Sequence, residues 1–324
     1  MTPILCIAPH AIVPTDDAVL ALLRPELRDD PRVQAEAREW EEAGVIEARD
    51  AFIEASGALT APVPTLPRWI CDLNRPWEGT GETLLGKPAV PLPIRPWLRD
   101  GALEEIHAIY RADLTAVRRL TGATLVEPHS YGALGSTFDQ AGRGRPVARP
   151  ATALIVGAPW RTAHPTGLAR LIPPTLDATP WGLQVAVGDA LDAAGLTPGL
   201  NPYGTLLPWG LSTRALATAW FRFLAAEGEL PQATAQHLED QAWSDSPAAD
   251  PAPTLPGTAA LIDRLERWGH DSATLADRFR ASTPAVVLVA ELREDLARAG
   301  RAADFGRALA SGVLRHGREC SRGV

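Results

Sequence analysis

The chain has few cysteines, almost no lysine and no long apolar run, and each scarcity excludes a class of protein. Its 324 residues include three cysteines, Cys6, Cys71 and Cys320, with no CxxC spacing among them. An odd number without paired spacing does not predict a disulfide framework. Cys6 and Cys71 lie in apolar runs, where a reduced thiol behaves as a small hydrophobic side chain. Because no signal peptide is recognisable either, we expect a cytoplasmic protein.

Two further absences concern the partners of the protein. No stretch reaches the ~18 consecutive apolar residues that a transmembrane helix needs. The formal net charge is −8, from 31 Lys+Arg and 39 Asp+Glu, and like charges form no runs. We therefore expect neither nucleic acid nor a membrane surface as a partner. Arginine supplies nearly all of the positive charge, a usage typical of high-GC genomes that by itself predicts no function.

What the chain does contain is four short apolar runs that each stop at a side chain able to bind a metal or a substrate. The runs cover residues 4–8, 69–71, 123–126 and 285–290, and they lead to His10, Arg75, His129 and Glu291. Short apolar runs bounded by turn residues are typical of buried strands in a largely parallel sheet. Ligands bind such sheets beyond the carboxyl ends of the strands. We therefore expect these four side chains to meet at one edge of the sheet.

The pattern of runs and helices predicts one α/β domain over residues 1–324. Amphipathic helices between the apolar runs favour a three-layer α/β/α fold with a mixed, mostly parallel central sheet, of the phosphorylase/hydrolase-like type. Residues 182–187 are interpreted as a strand edge. The segment 216–280 is predicted to be a helical insertion, with a linker at 244–257 that is too rich in proline, alanine and aspartate to pack a core.

His10 and His129 each follow a proline at a predicted strand end. Proline ends a strand ladder, so both imidazoles should turn into the edge of the sheet. Neutral imidazole is a common zinc ligand, and a catalytic zinc site needs three protein ligands and one open position. The third ligand should then be a carboxylate from the segment between the two histidines. The alternative for each is an ordinary surface or hydrogen-bonded histidine.

The segment Asp72-Leu-Asn-Arg75 offers a site for a substrate carboxylate. The planar guanidinium of Arg75 can bind a carboxylate through two hydrogen bonds, and Asn74 can add amide donors beside it. The alternative is a structural ion pair between Arg75 and Asp72, and we expect a structural role for Asp72.

Glu291 ends the strongest strand pattern in the chain. A carboxylate at the end of a buried strand is costly unless it has a partner or a chemical role. Next to a metal-activated water it can act as the general base and then pass the proton to a leaving nitrogen. The alternative is an ion pair with Arg293.

Four motifs in this order resemble the N-formylglutamate amidohydrolase family. They are Pro9-His10, Asp72-Leu-Asn-Arg-Pro76, Glu127-Pro-His-Ser130 and Glu291-Leu-Arg-Glu-Asp-Leu296. The resemblance covers about the first 215 residues and the last 45, and the family is itself similar to zinc carboxypeptidases. The resemblance implies a bound zinc ion, with another divalent metal as the alternative, and small N-acyl amino acids or short peptides as substrates.

The resemblance also implies roles for individual residues. His10 and His129 become zinc ligands, Arg75 the carboxylate binder and Glu291 the general base. The family's remaining ligand is an aspartate, and its position corresponds to Glu42, with Glu41 as the competing choice. Ser130 and Arg293 belong to the matching motifs and are expected to contact the substrate. The segment Asn201-Pro-Tyr-Gly204 resembles a further loop of the family near the substrate, so Tyr203 is expected to line the pocket, with a structural role as the alternative.

The chain also departs from the family pattern. The family's Pro-His-Ser-Gly is Pro9-His-Ala-Ile12 here, and an aspartate expected near Ala153 is missing. Groups around the ligands tune the fit of a substrate, so zinc chemistry is expected to persist better than the particular substrate. Three hypotheses follow: an amidohydrolase of N-formylglutamate-like compounds, a carboxypeptidase-like or cell-wall amidase, and a non-catalytic ligand-binding protein.

Overall fold

The computed structural model contains a six-stranded sheet between helices. It describes residues 3–11, 13–40, 42–78, 87–120, 122–136, 146–156, 167–173, 176, 178–199, 209–245, 255–266, 270–282 and 287–322. One pair of neighbouring strands in this sheet is antiparallel, and all other neighbours are parallel. The predicted α/β/α fold with a mixed, mostly parallel sheet is thereby confirmed.

The strands are short at the edges of the sheet and longest at its centre. Those of the main sheet are β1 (Ile4–Cys6), β2 (Leu59–Thr60), β3 (Thr124–Tyr131), β6 (Thr152–Ile155), β7 (Pro198–Gly199) and β8 (Val287–Arg293). Their order across the sheet is β2-β1-β3-β8-β6-β7, and the antiparallel pair is β6 and β8. A separate antiparallel pair consists of β4 (Leu134–Ser136) and β5 (Pro146–Ala148).

Helices connect these strands and cover both faces of the sheet. The first five are α1 (Asp17–Leu20), α2 (Pro31–Glu39), α3 (Val45–Ser56), α4 (Ala102–Arg118) and α5 (Trp181–Ala193). The others are α6 (Leu211–Ala226), α7 (Gln232–Ala242), α8 (Thr258–Glu266), α9 (His270–Ser282), α10 (Glu294–Leu296) and α11 (Ala302–Arg322). No helix in these described ranges is both long and apolar enough to cross a membrane.

The two faces of the sheet bury separate apolar cores. Leu125 and Val287 point to one face, where they pack with residues of α4, α6 and α9. Val126 and Leu288 point to the other face, where the core is completed by α3, α5 and α11. This alternation follows from the two-residue period of a strand, and it means that both faces of β3 and β8 are buried.

The second apolar run, residues 69–71, does not form the strand that the sequence predicts. Ile70 and Cys71 donate backbone hydrogen bonds to the carbonyl of Pro67, so residues 68–70 form a turn. The position beside β1 is taken by Leu59–Thr60 instead. The prediction of a strand edge at 182–187 is also wrong, because these residues lie inside α5.

The helices predicted between residues 212 and 280 are present as α6 to α9. α6 packs against β3 and β8, and its buried Trp220 contacts Phe279 of α9. These helices share the core that covers the first face of the sheet. Whether the segment 216–280 is an insertion relative to a smaller ancestor remains a prediction.

Candidate metal centre

The candidate site lies where β3 and β8 change from apolar to charged side chains on the same face of the sheet. The two strands are parallel, and Glu127 is level with Val289 while His129 is level with Glu291. Residues that are level on neighbouring strands, and residues two apart on one strand, point to the same face. Glu127, His129 and Glu291 therefore project together from the carboxyl end of this face.

Pro128 lies inside β3, so the expectation that this proline ends the strand is wrong. The carbonyl of Val126 accepts a hydrogen bond from Ile7 at 2.9 Å, which means that this residue faces β1. Residues two apart face the same neighbouring strand, so Pro128 also faces the β1 side. β1 ends at Cys6. The N–H that proline lacks is therefore not needed, and His129 is held within a central strand.

His10 and Glu42 reach the same edge from two loops. His10 follows β1 in a turn that is closed by a hydrogen bond of 3.1 Å from Ala11 N–H to the carbonyl of Ala8. Glu42 lies between α2 and α3, two residues before Gly44, whose φ is +77°. A Cβ on Gly44 would lie 2.8 Å from Cβ of Ala302, so both the turn and its close packing require glycine.

His10, Glu42 and His129 form a buried cluster. Nδ1 of His10 lies 2.7 Å from Oε1 of Glu42, and Nδ1 of His129 lies 3.0 Å from Oε2 of the same carboxylate. The two imidazole rings meet edge to face with their centroids 4.6 Å apart. One ligand atom from each residue lies within 4.8 Å of the others, so the three could hold a metal ion.

The outer nitrogen of each imidazole faces a second carboxylate. Nε2 of His10 lies 2.9 Å from Asp72 Oδ1, and Nε2 of His129 lies 2.7 Å from Glu127 Oε1. Metal-binding histidines commonly donate their other ring N–H to a carboxylate, which fixes the ring and its tautomer. The donor set therefore fits a divalent cation, with both Nδ1 atoms and Glu42 turned inward and the Nε2 atoms held from outside.

Asp72 is a central hydrogen-bond acceptor of the site. Its Oδ1 also accepts from the backbone N–H of Asn74 at 2.9 Å, while Nε of Arg68 lies 3.3 Å from Oδ2. Nε of Arg75 lies 3.5 Å from the same oxygen, as in the ion pair considered from the sequence. These contacts hold Asp72 against His10, so its structural role consists of orienting that imidazole.

Glu127 is held in a similar way from the opposite side. The side-chain amide of Asn74 donates to Glu127 Oε1 at 2.5 Å, and the hydroxyl of Ser212 on α6 donates to Oε2. The amide oxygen of Asn74 accepts from Leu211 N–H at 2.7 Å. Both ends of the Asn74 amide are therefore engaged within the protein, where they join the loop after Asp72 to β3 and α6.

The charges of the cluster keep its carboxylates ionised despite burial. Burial favours the neutral form of Glu42, but the charges of His10, Arg68 and His129 together outweigh it and hold the pKa well below its usual range. Burial likewise disfavours the charged form of His129, yet Glu42 and Glu127 raise its pKa well above the usual value. The carboxylates thus stabilise positive charge between the two imidazoles, and a divalent cation bound there can take the place of the protons on the imidazoles.

Glu291 is the acid of the site whose surroundings disfavour the charged form. The described residues offer it no hydrogen bond or ion pair, and Arg293 pairs with Asp295 at 2.6 Å instead. Burial raises the pKa of Glu291, the positive charge of His129 lowers it and the negative charge of Glu42 raises it, and together these effects move the pKa from 4.5 to about 7. Such a carboxyl can exchange a proton near neutral pH, which a general base requires.

Arg75 lines a cleft of about 300 Å³ next to the cluster. The other lining residues are Trp40, Asp72, Lys87, Pro88, Pro91, Leu92 and Pro93. A separate cavity of about 60 Å³ reaches His10 and includes Arg68 and Trp40. A small ligand with a carboxylate could therefore lie in the larger cleft, with Arg75 beside it.

Of the remaining predicted residues, Ser130 contacts the cluster through its backbone, Arg293 pairs elsewhere, and two lie outside the described residues. Ser130 donates its backbone N–H to Glu42 Oε2 at 3.1 Å, and its buried hydroxyl has no hydrogen-bond partner among the described residues. Arg293 donates to the carbonyl of Arg149 and pairs with Asp295. Glu41 and Tyr203 fall on residues that the structure does not describe.

Arg68 is a site residue that the sequence reasoning missed. Its Nη1 lies 2.5 Å from Glu42 Oε1, and its guanidinium stands over the Trp40 ring at 5.5 Å. Arg68 precedes Asp72 by four residues, and this short distance from the Asp72-Leu-Asn-Arg75 motif is the sequence feature that could have indicated its place in the site. Glu127 was visible in the motif with His129, but its hydrogen bond to the imidazole depends on the strand continuing past Val126.

Comparison with known proteins gives one match. No family model and no curated protein sequence matches this chain. Among solved structures, the crystal structure of N-formylglutamate amidohydrolase from Ralstonia eutropha JMP134 is similar at 17% sequence identity and a TM-score of 0.44. The match covers 100% of this chain and 95% of that one. A similarity at this level assigns no activity to this chain.

Proposed function

We propose that this protein is a metal-dependent amidohydrolase that cleaves the amide bond of a small N-acyl amino acid, with N-formylglutamate-like compounds as the first substrates to test. One observation carries the proposal. The imidazoles of His10 and His129 converge with the carboxylate of Glu42, and the outer nitrogen of each imidazole contacts a further carboxylate. The buried carboxyl group of Glu291, which has no hydrogen-bond partner among the described residues, lies level with His129 on the next strand.

His10, Glu42 and His129 would hold the metal, and the donor set of two nitrogens and one carboxylate suits zinc. When bound, the ion supplies Lewis acidity toward the substrate carbonyl and lowers the pKa of a water molecule. Asp72 and Glu127 keep the imidazoles oriented by accepting hydrogen bonds from their outer nitrogens. The metal site thus needs five side chains, three that bind and two that position.

Glu291 would move the proton. As the base it takes a proton from the attacking water, and as the acid it then gives that proton to the nitrogen of the breaking amide bond. Its pKa of about 7 in the protein favours transfer in both directions near neutral pH. Arg75 would bind the carboxylate of the substrate in the neighbouring cleft, which fixes the position of the scissile amide.

The test combines metal analysis with hydrolysis assays on formyl-, acetyl- and aminoacyl-amino acids. Protein purified without chelators should contain about one equivalent of metal per chain, because one site with three protein ligands is proposed. His10→Ala and His129→Ala should lose most of that metal and the activity. His316→Ala, a change on α11 away from the cluster, is the matched control and should keep both.

Glu291→Gln separates catalysis from metal binding. It should keep the metal, because Glu291 is not among the three ligands, while kcat falls by about 100- to 10,000-fold. Release of C-terminal residues from peptides without deformylation would favour the carboxypeptidase-like alternative. A chain without stoichiometric metal, in which His10→Ala and His129→Ala change nothing, would instead be a non-catalytic binding protein.

A further inference from the structure

Lys87 is the only lysine in the chain, and it lines the cleft beside the candidate metal centre. The other 30 of the 31 basic Lys and Arg residues are arginines. Nζ of Lys87 stands over the Trp40 ring, 5.8 Å from its centroid, and Arg75 lines the same cleft. An ammonium is a compact charge on a flexible stem, so it can adjust its position to an anionic group of a ligand.

The ammonium of Lys87 has no anionic partner within the described part of the chain. Asp72 is the acidic residue that lines the cleft, and both of its oxygens are occupied. Oδ1 accepts from His10 and from Asn74 N–H, and Oδ2 faces Arg68 and Arg75. Among the described residues, no carboxylate therefore pairs with Lys87, and an anionic group of a ligand would give its charge a partner.

The surroundings of Lys87 favour an added negative charge. Burial lowers the pKa of the ammonium, and the positive charges of Arg75 and Arg68 lower it further. A negatively charged ligand group would relieve this repulsion and accept charge-assisted hydrogen bonds. The rest of the wall is apolar, formed by Trp40, Leu92 and three prolines, so the charged contacts would orient the ligand.

We propose that Lys87 binds a second anionic group of the substrate, so that the cleft selects acidic N-acyl amino acids over neutral ones of the same shape. The main carboxylate would lie on Arg75 and the side-chain carboxylate on Lys87. This assignment rests on the proposed amidohydrolase function for the reaction, while binding of the two charges can be tested without it.

The kinetic test compares N-formylglutamate with N-formylglutamine, which has the same shape and one negative charge fewer. Lys87→Met should lower kcat/KM for the acidic substrate by roughly tenfold or more, mainly through KM, because a charge-assisted hydrogen bond is lost. The same change should leave the neutral substrate unaffected, and Lys87→Arg should restore most of the preference. Arg38→Met, which removes an exposed charge from α2, should not alter the preference.

A binding test needs no turnover. Calorimetry should detect glutarate binding to the wild type at least roughly tenfold more tightly than pentanoate, and Lys87→Met should remove that difference. Lys87 is the only side-chain amine, so glutarate should also slow its modification by a succinimidyl ester, whereas pentanoate should not.

The outcomes distinguish the two proposals. Glutarate binding that depends on Lys87, without hydrolysis of any N-acyl amino acid, would support the role of Lys87 and overturn the amidohydrolase function. Hydrolysis with equal preference for glutamate and glutamine derivatives in the wild type and in Lys87→Met would overturn the role of Lys87 alone. Equal loss of both substrates in Lys87→Met would also contradict a charge-specific contact.

Discussion

At the scale of single residues, the site separates its carboxylates into two kinds. Glu42, Asp72 and Glu127 each contact an imidazole, and neighbouring positive charges outweigh burial in keeping their pKa values low. Glu291 has no such contact, and burial raises its pKa to about 7. This difference in environment, more than the residue type, assigns binding or positioning to three acids and proton transfer to the fourth.

Glu291→Gln should change how the stability of the metal-free protein depends on pH. The fold raises the pKa of this carboxyl from 4.5 to about 7, so the folded state holds the proton more tightly than the unfolded chain does. The resulting stabilisation is fully present below about pH 4.5 and is lost as the pH rises through 7. The free energy of unfolding of wild type relative to Glu291→Gln should therefore fall by roughly 3 kcal/mol over this range.

The measurement is urea unfolding of both proteins in the presence of a chelator, at several values from pH 4.5 to 8. The two curves should diverge steadily as the pH rises. A difference that stays constant over this range would contradict the buried, unpaired position of Glu291.

At the scale of elements, α11 packs closely against two helices through two of its glycines. A Cβ on Gly306 would lie 2.1 Å from the carbonyl oxygen of Ala48 in α3. A Cβ on Gly312 would lie 2.5 Å from Cα of Val187 in α5. Backbone cannot move away as a flexible side chain can, so these glycines set the distance between the three helices that cover the second face of the sheet.

Gly312→Ala should destabilise the protein, because its methyl group would meet the backbone of α5. Overpacking of this kind costs about 1–3 kcal/mol, which the better helix propensity of alanine only partly offsets. Gly317→Ala lies on the same helix, where nothing would approach the new Cβ within 4 Å, and serves as the matched control. It should be neutral or stabilising in urea unfolding, and equal effects of the two changes would contradict the packing.

For the strand β3, the sequence predicts one part of the site correctly and another part wrongly. The apolar run before His129 and the parallel-sheet rule correctly bring His129 and Glu291 to one edge, because both patterns are local. The prediction that the strand ends at Val126 was wrong, because the missing N–H of a proline is costly only where a neighbouring strand would accept a hydrogen bond from it. β1 stops at Cys6, and this tertiary circumstance lets β3 continue through Pro128.

At the scale of the whole molecule, the candidate metal centre joins three separate parts of the chain. His10 follows β1, Glu42 precedes α3, and His129 lies on β3. A ligand that binds only the folded state stabilises it by mass action, about 4 kcal/mol at a concentration 1,000 times its Kd. Binding at this centre should therefore stabilise the fold as a whole rather than one loop.

Addition of Zn²⁺ to chelator-treated protein should raise Tm by several degrees, following the roughly 2–4 °C per kcal/mol typical of large domains. Mg²⁺ prefers oxygen ligands and should have little effect. Differential scanning calorimetry of wild type and His129→Ala provides the comparison. An equal shift in both proteins would mean that the ion binds elsewhere.

The sequence by itself determined the α/β class, the mostly parallel sheet and the meeting of His10, His129 and Glu291 at one edge of the sheet, because these depend on local patterns of apolar and turn residues. Only the tertiary structure decided which acid completes the cluster and which cations surround it. Glu42, Arg68 and Lys87 come from loops and turns, and no local period records how far apart two loops lie after folding. The same applies to lysine itself: its scarcity was visible in the sequence, but its place in the cleft was not.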